Sequence, residues 1–190
     1  MTGPIWRTTV LSTVIGLVVF LSAPIFFTGL RLSAEHRRDP LTKDEIDLLR
    51  DAMVEPDQRL KLYVKFSRDR MNKLEQMRAD PKTTERARKT HDMLEDFLAV
   101  YGELDDNIEM YVGRKEDLRK PLKLVIEADT EFQSKLRALK SAANATAEEN
   151  SQYEFVLTDS IDTVDSSADD HRKTLAEVEE YMKHKKKSKQ

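Results

Sequence analysis

Three polar residues, His91, Asp129 and His171, stand where the spacing of their apolar neighbours predicts an inward-facing position. His91 lies between Ala87 and Leu94, Asp129 between Val125 and Phe132, and His171 between Ala168 and Leu175, at the three- and four-residue steps of one helix face. Two imidazoles and a carboxylate gathered inside a protein could hold a transition metal or move protons as general acid and base. A metal-binding or enzymatic helical bundle is therefore one of two functional readings of this chain.

Register argues against it. If the chain reverses near residues 113 to 120 and again near 144, His91 comes level with about Leu139, Asp129 with about Ile161 and His171 with about Pro121. At about 1.5 Å of rise per residue, the three sites are then more than about 10 Å apart along the bundle. The expectation is three separate structural polar residues, each paired locally or reaching the bundle edge. Carboxylate-bridged di-iron bundles use Glu-x-x-His on two helices, but position 88 is Arg and position 168 is Ala. Asp159, Asp162, Asp165, Asp169 and Asp170 fall within a helical pattern and lack the glycine-centred turn of a calcium loop. No serine, threonine or lysine stands in a nucleophile motif. No metal, cofactor or catalytic residue is predicted.

A second kind of chemistry is electrostatic. Lys183, Lys185, Lys186, Lys187 and Lys189 make a compact basic tail around His184 and Ser188. Such a cluster can touch anionic lipid or the acidic face of another copy, or it can complement the dipole at a helix C-terminus. Asn144-Ala145-Thr146 matches a glycosylation acceptor, although Thr146 is better explained as a helix cap.

The elements that must position these residues are helices. Charged residues make up 35% of the 190 and glycine only 5, a balance that favours long solvated helices over sheets. The organising stretch is Ala87 to Val112, whose apolar residues from Leu94 to Tyr111 recur every three or four positions. Before it, Thr42-Lys43-Asp44-Glu45 is a capping box with Leu41 and Ile46 as its hydrophobic staple, predicting a helix to about Val54. Pro56 opens the next helix, which shows Leu60, Tyr63, Val64, Met71, Leu74 and Met77 on one side. Asp80-Pro81 reads as cap and first residue of the central helix, Gly113 as a loosening point, and Lys120-Pro121 as its end or a kink.

A further helix runs to about Ala143. Thr146-Ala147-Glu148-Glu149 is a second capping box before the last helix, whose apolar side is thin and which is expected to be the least tightly held. Residues 146 to 182 carry eleven acids against Arg172 and Lys173, so this acidic helix should lie beside the basic ones. The predicted fold is all-α, an antiparallel four- or five-helix bundle with coiled-coil-like packing over residues 35 to 182, with a basic tail at 183 to 190.

An apolar segment precedes the bundle. Thr8 to Leu30 contains 23 residues without a charge, roughly 34 Å as a helix against a hydrocarbon core of about 30 Å. It reads either as a retained membrane helix or as a signal peptide cut after Ala34 in Leu32-Ser33-Ala34. Arg31, Arg37, Arg38 and Lys43 would hold their side in the cytoplasm, whereas the short tail before Arg7 favours export. The extracytoplasmic side is expected.

The absence of cysteine removes disulfides and thiolate metal sites without deciding a compartment. Without residues 1 to 34 the formal charge moves from −3 to −5, which removes nucleic acid from the expected partners. The other functional reading is thus a membrane-tethered or exported non-catalytic bundle, an interaction or structural module whose partner is a protein or a second copy.

Overall fold

The computed structural model describes residues 39–142 and 146–188, and within them all regular structure is helical. The apolar leader, the Ala34 cleavage site, Asn144, Ala145 and Lys189 lie outside the described residues. Five helices follow one another: α1 (Lys43–Asp51), α2 (Pro56–Ala79), α3 (Arg86–Gly113), α4 (Arg119–Ser141) and α5 (Ala147–Lys187).

The capping box at α1 forms as its residue types demand. Thr42 Oγ1 accepts from the Glu45 amide at 3.3 Å, and Glu45 Oε2 accepts from the Thr42 amide at 2.8 Å. The helix stops at Asp51, three residues before the expected Val54, and Pro56 starts α2. Glu45 has a second task, because its carboxylate also pairs with the buried guanidinium of Arg70 on α2, with Arg70 Nη2 donating to Glu45 Oε2 at 2.6 Å. Burial alone would raise the Glu45 pKa, but the Arg70 and Thr42 hydrogen bonds outweigh it and lower the value to about 2. Glu45→Gln should therefore cost about 2 kcal/mol in chemical unfolding at neutral pH. A carboxylate with a depressed pKa gives stability that is present above about 4.5 and lost as pH falls through about 2, so the loss caused by Glu45→Gln should shrink across that acid window.

Asp80 does not start the central helix. It terminates α2, and its side chain accepts the Lys82 amide at 2.9 Å while Thr83 N donates to its carbonyl at 3.1 Å. The short carboxylate closes a turn on its own backbone in preference to a cap. α3 begins only at Arg86, after Glu85 takes a left-handed conformation at φ 52°. The break before α4 lies earlier than Lys120-Pro121. Lys115 at φ 61° reverses the chain, and Pro121 sits in the first turn of α4, where its missing amide has no helical acceptor to lose. The second capping box forms by half: Glu149 N donates to Thr146 Oγ1 at 3.1 Å, but the Glu149 side chain turns to Arg78 at 3.2 Å.

α2 packs against α3 and α4, and α5 packs against the same two; α3 and α4, although consecutive, face each other across the centre. α2 and α4 are parallel, as Arg68–Glu131 at 2.8 Å and Lys135–Glu75 at 2.6 Å fix. α1 lies along α2, with the Leu49 carbonyl accepting from Arg59. The core is drawn from all four long helices, with Leu60, Leu94, Phe97, Val100, Leu104, Leu122, Val125, Phe132, Leu136 and Val164 inaccessible to solvent. Acidic α5 reaches basic partners as its composition suggested, in Arg78–Glu149, Arg137–Asp165 and Lys123–Glu179.

Candidate functional site

Two of the three candidate residues meet. His171 Nδ1 lies 2.9 Å from Asp129 Oδ2, where the register expectation held them more than about 10 Å apart. That expectation is corrected by ten residues, since Asp129 faces His171 and not Ile161. Offsets in the same direction, of about eight and twelve residues, recur where Gln133 donates to Asp165 and where Lys123 pairs with Glu179. The cause is that α5 takes its register from α3. Arg78 reaches both Thr90 of α3 and Glu149 of α5, so these two helices start level with each other and α5 does not fold straight back from the end of α4.

The pair sits within a larger polar network that links three helices. Tyr101 Oη on α3 donates to Asp129 Oδ1 on α4 at 2.7 Å. On the other side of the imidazole, His171 Nε2 on α5 lies 3.1 Å from Asp105 Oδ1 on α3, an ion pair without hydrogen-bond alignment. Asp105 Oδ2 in turn accepts from Ser167 Oγ at 2.6 Å. Tyr101 and Asp129 are completely buried and His171 nearly so, whereas Asp105 stands at the edge with 30% of its side chain exposed. Around the network, Phe97, Tyr101 and Phe132 form an aromatic cluster, with Phe132 edge-on to Phe97 at 5.3 Å and to Tyr101 at 6.0 Å.

Burial works against charge on His171, but the carboxylates of Asp105 and Asp129 beside its two nitrogens prevail and raise its pKa to about 9. The imidazole is therefore an imidazolium at neutral pH, clasped by a carboxylate at each nitrogen. Burial and the neighbouring carboxylates push the Tyr101 hydroxyl the same way, keeping it a donor. A raised folded-state pKa contributes stability that is complete below 6.5 and disappears as pH rises through about 9. Stability should fall by about 3 kcal/mol across that window, from a shift of 6.5 to about 9 at roughly 1.4 kcal/mol per unit. Urea unfolding of the native chain and of His171→Gln at a series of pH values checks this, the variant being expected to lose that part of the slope.

His91 stays apart. Its side chain is 38% exposed and its Nδ1 lies 3.6 Å from Asp92 and 3.9 Å from Glu95, both on its own helix. The inward position in these first turns of α3 belongs to Thr90, which is fully buried and accepts from Arg78. Among the described residues no group of three or more His, Asp or Glu side chains is placed to hold a metal ion. The reason at His171 is geometric: its carboxylates lie on opposite edges of the ring, each occupying a nitrogen a metal would need.

Tyr101, Asp105 and Ser167 were not singled out in the sequence. Tyr101 falls within the apolar stripe from Leu94 to Tyr111, where a tyrosine reads as core. The usable signal was spacing, since Tyr101 with Asp105 and Ser167 with His171 are each four residues apart and so share a helix face. Four clefts of the described surface, at Asp57 to Lys183, Glu85 to Gln152, Asp39 to Asp96 and Gln58 to Leu124, are lined by other residues.

The basic residues at the chain's end are helical. α5 continues through Lys187, so Lys183, Lys185, Lys186 and Lys187 are carried on its last turns and not on a separate tail. No described helix is long and apolar enough to cross a membrane. No protein-family model matches the chain, and no curated protein or solved structure matches it.

Proposed function

We propose that this chain is a membrane-tethered or exported helical bundle that acts by binding a protein partner or a second copy through its surface, without catalysis. The observation that carries the reading is the state of its inward-facing chemistry. Both nitrogens of His171 face carboxylates, and Asp129 is engaged from two sides. These groups are taken up with one another, and what they supply is an arrangement of α3, α4 and α5 held by charge and hydrogen bonds. The heptad-like spacing of the helices favours coiled-coil-like packing and leaves outer faces suited to further helices.

The tether rests on the uncharged run from Thr8 to Leu30. Fractionation of cells making the full chain, followed by amino-terminal sequencing, tests it. A mature terminus at Glu35 makes the chain an exported bundle, an intact terminus in the membrane fraction makes it an anchored one, and an intact terminus in the cytosol overturns both. Metal analysis of protein purified without chelator tests the other half. A stoichiometric transition metal that disappears with His171→Ala would replace this reading with a metal-binding one.

A further inference from the structure

We propose that the end of the bundle formed by the α3–α4 turn and the last two turns of α5 is a docking surface for an anionic lipid headgroup layer. The inference rests on the membrane-associated reading above and adds a second, reversible contact.

Arg114 and Lys115 from the turn and Lys183, Lys185, Lys186 and Lys187 from α5 share this end of the molecule, all six exposed. Tyr181 joins the two groups: the Lys115 and Lys185 ammoniums lie 6.0 Å and 5.8 Å from its ring centre. Of the nearby carboxylates, Asp117 pairs with Arg119, Asp57 with Lys120 and Glu179 with Lys123, while Glu180 lies 3.7 Å from His184. Among the described residues none of the six cations has an ion-pair partner, and Glu116 is the one acid at the turn without one. The end therefore carries a local positive excess on a chain whose formal charge is −3.

Shape selects the ligand. At about 100° per residue, Lys183 and Lys187 share one side of α5, while Lys185 and Lys186 point to two others. A protein groove would meet one side of such a helix, whereas a plane of headgroups approached end-on meets all of them. Tyr181, 40% exposed among the cations, is the residue type that settles at a membrane–water boundary. In the acidic stretch of α5, Glu149 and Asp165 are held by Arg78 and Arg137 of the same chain and Asp169 and Asp170 by Arg172 and Lys173, which leaves fewer acids open to a second copy.

The chain has no cysteine, so Ser188→Cys offers a single site for an environment-sensitive fluorophore next to the basic turns. The labelled full chain is reconstituted with vesicles of phosphatidylcholine alone, or with about one-third phosphatidylserine. The expected result is a blue-shifted emission only on the anionic vesicles, reversed at about 0.5 M salt. At about fivefold per lysine, replacing Lys183, Lys185, Lys186 and Lys187 by Glu should raise the phosphatidylserine needed for the shift by at least about 100-fold. The four Lys→Gln replacements, checked for helicity by circular dichroism, should weaken it in the same direction.

An identical signal on neutral vesicles, or one that survives charge reversal, overturns the proposal. A shift that grows with protein concentration in the absence of lipid also overturns it, in favour of self-association. Flotation with neutral vesicles reports the tether separately. A chain that floats there without the anionic shift loses this proposal alone, and one that floats only on anionic vesicles keeps it while losing the tether.

Discussion

His171→Ala should lower the stability of the bundle by about 3–5 kcal/mol at neutral pH, measured by urea unfolding followed by circular dichroism. The cost comes from what is left behind. Asp129 is fully buried and would keep only the Tyr101 hydroxyl, while Asp105 would lose the cation beside it. An uncompensated carboxylate in the core is far more expensive than the missing contact itself. Combining His171→Ala with Asp129→Ala should therefore cost less than the two single losses added, by about 1–3 kcal/mol, because the second change removes the stranded charge. A loss below about 1 kcal/mol for His171→Ala would mean that the network does not hold the helices in register. The double variant should also lack the alkaline decline expected between 6.5 and about 9.

Phe132→Ala should cost a similar amount, about 3–5 kcal/mol, while Phe132→Leu should cost less than about 1.5 kcal/mol. Phe132 on α4 is inaccessible to solvent and meets Phe97 and Tyr101 of α3 across the centre of the bundle. Alanine would open a cavity where two diagonal helices touch, and four surrounding helices cannot all close on it. Because the ring lies against Tyr101, the cavity should loosen the Tyr101–Asp129 hydrogen bond. The His171 pKa should then move away from about 9, visible as a displaced alkaline loss of stability. An unchanged pH profile beside a large stability loss would show that the aromatic cluster and the polar network are energetically separate.

The two substitutions bear on why α5 is held at all. Its apolar side is thin, as its sequence suggests, with Tyr153, Val156, Leu157, Val164, Ala168 and Val178 buried along 41 residues. Polar contacts supplement it: Glu149 with Arg78 at one end, Ser167 and His171 with Asp105 and Asp129 in the middle, and Glu179 with Lys123 near the other end. Exposed pairs such as Lys123–Glu179 contribute little. The buried ones matter more, because losing one partner strands the other. Hydrogen exchange along α5 should accordingly show its strongest protection around Ser160 to His171.

Much of the local structure was written in residue order. The Thr42–Glu45 box, Pro56 at a helix start and the stripe from Leu94 to Tyr111 are local patterns, and each formed the expected element. Asp80-Pro81 misled because the same carboxylate that can cap a helix can also close a turn, and only the position of α3 decides between them. His91 misled because one face of a long helix turns gradually relative to its neighbours, and Thr90 is the residue left facing inward. Tyr101 and Asp105 were invisible as site residues because helical spacing records which face a residue is on, not which residue lies opposite.

The amino-acid sequence by itself determined that the chain forms several amphipathic helices with inward polar residues at Asp129 and His171, since periodicity and capping act within a few residues. Only the tertiary structure decided that these two meet. Their pairing depends on α5 aligning with α3 and not with the end of α4, a choice set by contacts between residues 60 or more positions apart, such as Asp105 with Ser167 and His171. A shift of ten residues, about 15 Å, separates an isolated Asp129 and an isolated His171 from one buried network.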